Sequence, residues 1–139
     1  MKKEKKFFIM GNPGNNIGDV AAMEGIVFGL KKVFKNCKIF VSYSGNPNTE
    51  DIDDYVEQYF HDENFFSKKS IVRLYFMTLF NQENNILTCI KDSDVIIFAP
   101  GACGFHKNNY EHWVKVMIML KIVKKMNKIV MFHACSMGP

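Results

Sequence analysis

The chain has 139 residues, 47% of them hydrophobic and 23% charged, which is enough to bury the core of a single domain. Most of its formal net charge of +4 lies in residues 1–6, which we interpret as a basic tail ahead of one domain over residues 7–139. The remainder offers no broad basic surface, so nucleic acid is not expected as a partner.

The apolar run at residues 7–10 predicts a buried strand, and a glycine-rich loop follows it over residues 11–18. Glycine reaches backbone angles that are closed to other residues, and it has no side chain to keep a ligand away from the main chain. The loop can therefore hold a ligand at the start of the next helix, predicted over residues 19–34. Asp19 falls where the cap of that helix belongs.

Strands and helices alternate along the rest of the chain. Further buried strands are predicted at residues 39–43, 95–99 and 129–132. Helices are predicted at residues 51–60, 67–91 and 110–126, with Asn127 as the stop of the last. Gly25 and Gly29 are expected to let the first helix approach the sheet closely. This alternation, with right-handed crossovers, predicts an α/β domain with a doubly wound parallel sheet.

The membrane and the redox environment can be judged from short segments. Residues 7–10 are too few for a signal-peptide core or a membrane span, so no span is expected. Residues 71–80 are apolar apart from Arg73 and Thr78; we interpret them as a helix packed on the sheet, with membrane contact as the alternative. The four cysteines are scattered and no Asn-x-Ser/Thr acceptor occurs, which favours the cytoplasm as the location.

In a doubly wound sheet, ligands bind outside the carboxyl ends of the strands. The glycine-bearing turns are all predicted at that edge, at residues 11–18, 44–48, 100–104 and 134–139. Together they make a site hypothesis that no single turn would support, although strand-to-helix turns need glycine in any case.

Several familiar sites do not fit these turns. The first turn has G-x-x-G-x-x-x-G rather than G-x-G-x-x-G, which argues against a nicotinamide dinucleotide, and no P-loop motif occurs. Asp94 lies at the start of its strand, away from the ligand edge, which argues against a phosphoacceptor. Cys103, His106, His112 and His133 are too loosely spaced to favour a metal site. No cofactor and no metal are predicted.

Three short motifs occur in order: N-I-G-D at residues 16–19, S-D-V-I-I at residues 93–97 and S-M-G-P at residues 136–139. Together they resemble the polysaccharide pyruvyl transferase family, whose patterns look like N-x-G-D, an acidic residue before an apolar strand that ends in several glycines, and S-I-G-P. The resemblance covers the chain from Phe7 and corresponds to about the amino-terminal half of a family member. Where the family has consecutive glycines, residues 99–104 read A-P-G-A-C-G.

The resemblance implies a Rossmann-like domain, the acceptor-side half of a two-domain enzyme similar to glycosyltransferase-B proteins. It implies transfer of the enolpyruvyl group of phosphoenolpyruvate to sugar hydroxyls of a surface polysaccharide precursor, as a ketal with loss of phosphate. Because Arg73 is the single arginine, we expect the donor's anions to bind largely outside this chain, which would hold the acceptor sugar. Whether the chain is active by itself stays open.

Eight residues are candidates for the site. Asp19 and His133 are candidate catalytic groups, with a helix cap and a structural strand-end residue as the competing interpretations. The candidate substrate-binding residues lie in the turns: Asn15, Asn16, Gly18, Gly101, His106 and Ser136. Asparagine amides both donate to and accept from sugar hydroxyls, but asparagine also suits tight turns.

Two other functions remain open on the sequence. The first is a half-domain of a glycosyltransferase that uses a sugar nucleotide. The second is a non-catalytic carbohydrate-binding or vestigial module, which the interrupted glycine run favours.

Overall fold

The fold is known here from a computed structural model, which describes residues 4–11, 17–43, 50–61, 68–82, 84–99 and 110–133. The strands are β1 (Lys5–Met10), β2 (Cys37–Tyr43), β3 (Gln58–His61), β4 (Val95–Phe98) and β5 (Ile129–Phe132). The helices are α1 (Ile17–Val33), α2 (Lys68–Leu79), α3 (Asn85–Asp92) and α4 (Tyr110–Lys125), with a 3-10 helix at Glu50–Tyr55. All five strands are parallel, in the order β3-β2-β1-β4-β5.

The central strand β1 is buried on both sides of the sheet. Phe7 and Ile9 pack with α1 and the 3-10 helix on one face, called here the α1 face. Phe8 and Met10 pack with α2, α3 and α4 on the other, called the α4 face. A strand buried on both faces has no polar alternation, which is why β1 reads as a continuous apolar run. Helices on both faces of an all-parallel sheet confirm the predicted doubly wound α/β fold, which is Rossmann-like.

The junction between α3 and β4 is fixed by hydrogen bonds at the amino edge of the sheet. The Ser93 hydroxyl donates to the Cys89 carbonyl at 2.7 Å and so closes the last turn of α3. The Lys6 amide donates to the Asp94 carboxylate at 2.9 Å, and the Asp94 amide donates back to the Lys6 carbonyl at 2.8 Å. The serine and aspartate of the S-D-V-I-I motif therefore join α3, β1 and β4, far along the strand from the ligand edge.

The helix predicted at residues 51–60 is wrong. The chain there forms the 3-10 helix and then β3, which pairs with β2 and begins two residues before Phe60. Phe60 packs edge-on against Phe8, with ring centroids 5.7 Å apart. The apolar residues recur at helical spacing although they do not form an α-helix: Ile52, Tyr55, Val56, Tyr59 and Phe60. Pairing with β2 overrides the helical spacing of these residues. The alternation that would indicate a strand is not recognisable over only four residues.

The helical structure predicted between residues 67 and 91 is present as two helices, α2 and α3. The chain turns after α2 at Asn81, which has a φ of 53°. The Asn84 side chain then caps α3 by accepting from the Ile86 amide at 2.9 Å. Asn127 also has a φ of 53°, directly after α4, which confirms it as the stop of that helix.

The strand β5 is correctly bounded but is not buried as predicted. On the α4 face, Phe132 stacks on Phe98 with ring centroids 5.1 Å apart. On the α1 face, Ile129 and Met131 are exposed, because α1 packs toward β2 and the 3-10 helix and does not extend over the β5 edge.

Candidate functional site

The carboxyl ends of β1, β2, β4 and β5 lie at one edge of the sheet. The Gly11 amide donates to the Ser42 carbonyl at 3.2 Å, which joins β1 to β2. The Ala99 amide donates to the Met10 carbonyl at 2.8 Å, and the His133 amide donates to the Phe98 carbonyl at 2.9 Å. These bonds extend the parallel ladders just past the strand ends. The four glycine-bearing turns therefore begin side by side, and their paths lie outside the described residues.

The topological switch point of the sheet lies between β1 and β4. The chain proceeds outward from β1 through β2 to β3, then returns to the other side of β1 to form β4. Gly11 and Ala99, which follow these two strands, are both buried. The connections that diverge from this point, residues 12–16 and 100–109, contain four of the predicted site residues. A switch point is where open α/β sheets hold ligands, so this crevice is the candidate site.

Asp19 lies within the first turn of α1. The helix begins at Ile17, so Asp19 is its third residue and the prediction that it caps the helix is wrong. Gly18, the second residue, is exposed, whereas the Asp19 side chain is half-buried. Backbone amides at the start of a helix favour negative charge, and this fixes a carboxylate close to the carboxyl edge of the sheet.

His133 follows β5 at the same edge and is exposed. It is at one end of a groove of about 300 Å³ on the α1 face, whose other walls come from β4, β5 and α1 and include Gly25, Gly29 and Met131. A Cβ atom added at either glycine would meet nothing within 4 Å. The prediction that these glycines allow a close approach to the sheet is therefore wrong: they border an open groove instead.

Ser42 was not predicted as a site residue. It lies near the carboxyl end of β2, beside Met10, and is 2% exposed. Its hydroxyl is the buried side-chain polar group without a hydrogen-bond partner in the part of the chain that the structure describes. Leaving a buried hydroxyl unpaired costs about 1–3 kcal/mol, so such a group in a strand end calls for a reason. The signal in the sequence is a lone serine in a strand that is otherwise largely apolar.

The remaining predicted residues lie outside the described residues, and the structure neither brings them together nor separates them: Asn15, Asn16, Gly101, His106 and Ser136.

Over the described ranges, no three His, Cys, Asp or Glu side chains are grouped to hold a metal ion. Burial raises the pKa of the Cys89 thiol to about 12, so this thiol is protonated at neutral pH and is not a nucleophile. Among the described helices, none is both long and apolar enough to cross a membrane.

Comparison with known families gives a match over most of the chain. The model of the family described as polysaccharide pyruvyl transferase matches residues 16–139. The chain belongs to the polysaccharide pyruvyl transferase family. The match begins one residue before α1 and spans every described element after β1. No curated protein and no solved structure matches the chain.

The described residues place two of the three motifs of this pyruvyl transferase family member at different positions. N-I-G-D at residues 16–19 opens α1 beside the carboxyl edge, and S-M-G-P at residues 136–139 begins three residues after His133. S-D-V-I-I at residues 93–97 starts at the amino edge and supplies the core of β4. The described part of N-I-G-D therefore lies beside the candidate site, S-D-V-I-I forms part of the sheet beneath it, and S-M-G-P lies outside the described residues.

Proposed function

We propose that this chain is the acceptor-side domain of a pyruvyl transferase that modifies a sugar of a surface polysaccharide precursor. The observation that carries the proposal is the family match over residues 16–139. In the reaction, two sugar oxygens form bonds to C2 of phosphoenolpyruvate, the methylene carbon gains a proton, and the bond from C2 to the phosphate oxygen breaks. One hydroxyl proton replaces the proton used at the methylene carbon, and the other leaves with phosphate.

The proposed roles follow from the chemistry available at the carboxyl edge. A carboxylate in the first turn of α1, that of Asp19, would accept a proton from a sugar hydroxyl. The imidazole of His133, which follows β5 at the same edge, can donate or accept a proton and suits proton transfer to or from the substrate. The proposed binding residues in the turns are Asn15, Asn16, Gly18, Gly101, His106 and Ser136.

The position of Arg73 supports assigning the donor's anions to a region outside this chain. Arg73 lies on α2 and borders an open surface groove with Lys69, Val72 and Phe76. That groove is on the exposed side of α2, which faces away from the buried Ile71 and Leu74. A glycosyltransferase-B-like arrangement, with a second domain facing the edge, would supply the cations that phosphate and carboxylate need.

Titration calorimetry with methyl glycosides of glucose, galactose and mannose tests the acceptor role. The chain is expected to bind at least one of them, and Asp19→Asn is expected to weaken that binding about tenfold, the loss of one charge-assisted hydrogen bond. Asp54→Asn, an exposed carboxylate on the 3-10 helix, is the matched control and should bind as the parent does. Equal weakening by both variants, or binding of a sugar nucleotide with no binding of methyl glycosides, would contradict the proposal.

A further inference from the structure

The helix α2 is apolar on two opposite sides. Its inner side packs into the core through Ile71 and Leu74, which are buried. Its outer side carries a second apolar stripe at helical spacing, and these residues are exposed: Val72, Phe76, Leu79 and Phe80. Phe76 is 52% exposed and Phe80, just past the helix end, is 71% exposed. A helix needs only one apolar side to pack on the core. The second apolar side of α2 is not covered by any other described part of the chain.

Basic residues lie on the same outer side. Lys69 and Arg73 are exposed and flank Val72 and Phe76 around an open groove of about 410 Å³. The sequence of α2 contains three basic residues and no acidic one. The apolar stripe is therefore bordered by positive charge alone on its own helix.

The neighbouring helix α4 continues this character. It packs beside α2 on the α4 face, and the Lys125 ammonium donates to the carbonyl of Thr78 in α2 at 3.2 Å. Its outer side exposes Met117, Lys121 and Lys124. The sequence of α4 has four lysines against one acidic residue. We call the exposed stripe of α2, with Lys69, Arg73 and these residues of α4, the outer α2–α4 surface.

The two faces of the domain differ in their balance of charge. The α1 face carries the 3-10 helix, whose sequence E-D-I-D-D-Y has four acidic residues, and the exposed Asp51, Asp53 and Asp54 lie there. The outer α2–α4 surface is on the opposite side of the sheet. A partner that binds the outer α2–α4 surface through charge would therefore have to be negative.

We propose that the outer α2–α4 surface docks on an anionic lipid bilayer as a peripheral contact. Exposed phenylalanines beside lysine and arginine are the combination that binds this interface, because the rings enter the boundary between headgroups and acyl chains and the cations bind lipid phosphates. The helices lie along the sheet, so docking would hold the sheet roughly parallel to the bilayer and leave the carboxyl edge open at its side. The inference is independent of the pyruvyl transfer chemistry.

Flotation of the full chain with lipid vesicles tests the inference. The chain is expected to float with vesicles of equal phosphatidylglycerol and phosphatidylcholine, not with phosphatidylcholine alone, and to be released as salt is raised. Phe76→Ser with Phe80→Ser is expected to lower the partition coefficient at least about tenfold, since two exposed rings are lost. Lys69→Glu with Arg73→Glu should lower it by a similar factor while leaving the rings in place.

Matched variants on the opposite face separate docking from general stickiness. Phe28 on α1 is 43% exposed, a fraction similar to the 52% of Phe76. Phe28→Ser should leave flotation unchanged. Lys32→Glu with Lys35→Glu makes the same change of charge at exposed residues of the α1 side and should have much the weaker effect. Failure to float with anionic vesicles, or equal losses in both sets of variants, would overturn the inference. A dimer in solution that dissociates on Phe76→Ser with Phe80→Ser would also overturn it, because the surface would then serve a second copy of the chain.

Discussion

Ser42 and Ser93 make a matched pair of buried serines with opposite expected effects on stability. Ser42 is 2% exposed and Ser93 is 1% exposed. The Ser93 hydroxyl donates to the Cys89 carbonyl, whereas the Ser42 hydroxyl has no partner within the described ranges. Replacing each serine by alanine removes a hydroxyl oxygen from a position that is equally buried. The difference between the two variants therefore isolates the hydrogen bond.

The magnitudes follow from the two environments. Ser93→Ala loses one neutral hydrogen bond and is expected to lower the free energy of unfolding by about 1 kcal/mol. Ser42→Ala removes an unpaired hydroxyl that costs about 1–3 kcal/mol, less a small cavity term, so it is expected to raise the free energy of unfolding by about 1 kcal/mol. For a chain of 139 residues, 1 kcal/mol corresponds to about 3 °C in Tm.

Scanning calorimetry and urea denaturation of both variants measure these shifts. Ser42→Ala should melt about 3 °C above the parent and Ser93→Ala about 3 °C below it. A Ser42→Ala variant that melts as low as Ser93→Ala would refute the reasoning, because its hydroxyl would then have a partner in the folded chain.

Further variants test the groove, the sheet junction and the buried thiol. Gly25→Ala and Gly29→Ala should each raise stability in urea by about 0.5–1 kcal/mol, since a new Cβ meets open space in a helix; lower stability would show that the groove is closed. Asp94→Ala should lower stability by about 1–2 kcal/mol by leaving the Lys6 amide without its acceptor, and unchanged stability would remove that bond from the account. Burial raises the pKa of Cys89 from 9.0 to about 12, so between these pH values the unfolded chain releases a proton that the folded chain keeps. Stability should therefore fall with rising pH across that interval, more steeply in the parent than in Cys89→Ala, and equal slopes would contradict the buried thiol.

The sequence predicted the central strands because they are buried on both faces of the sheet. Phe7 to Met10 are all apolar and all buried, and such runs are recognisable without any knowledge of their neighbours. The helix stop at Asn127 was predictable for a similar reason, since a left-handed residue after a helix is a local feature. Element order then fixed the parallel sheet through the rule of right-handed crossovers.

The failures concern features that only tertiary contacts decide. Nothing local in residues 51–60 distinguishes a helix from a 3-10 turn followed by a strand, because the choice rests on pairing with β2. The exposure of Ile129 and Met131 depends on how far α1 reaches across the sheet. Whether the Ser42 hydroxyl is paired depends on the side chains around it. The sequence shows a lone serine near a strand end, but not whether its hydroxyl has a hydrogen-bond partner.

The candidate site was predicted at the level of the sheet edge. Gly11, Ala99 and His133 stand where parallel strands in register must place them, so the edge follows from topology alone. The role of Asp19 did not follow, because a shift of two residues in the start of α1 changes a cap into a first-turn carboxylate. Helix starts are the least certain feature of a sequence pattern, and a shift of two residues is within that uncertainty.

The position of the site is tested most directly by two-dimensional amide NMR of the labelled chain, titrated with methyl hexosides. The account predicts shifts at the amides of Gly11, Ala99 and His133, at the carboxyl edge of the sheet. The amides of Lys6 and Asp94, at the amino edge, should stay in place. Shifts confined to Lys6 and Asp94 would contradict the assignment of the site to the carboxyl edge.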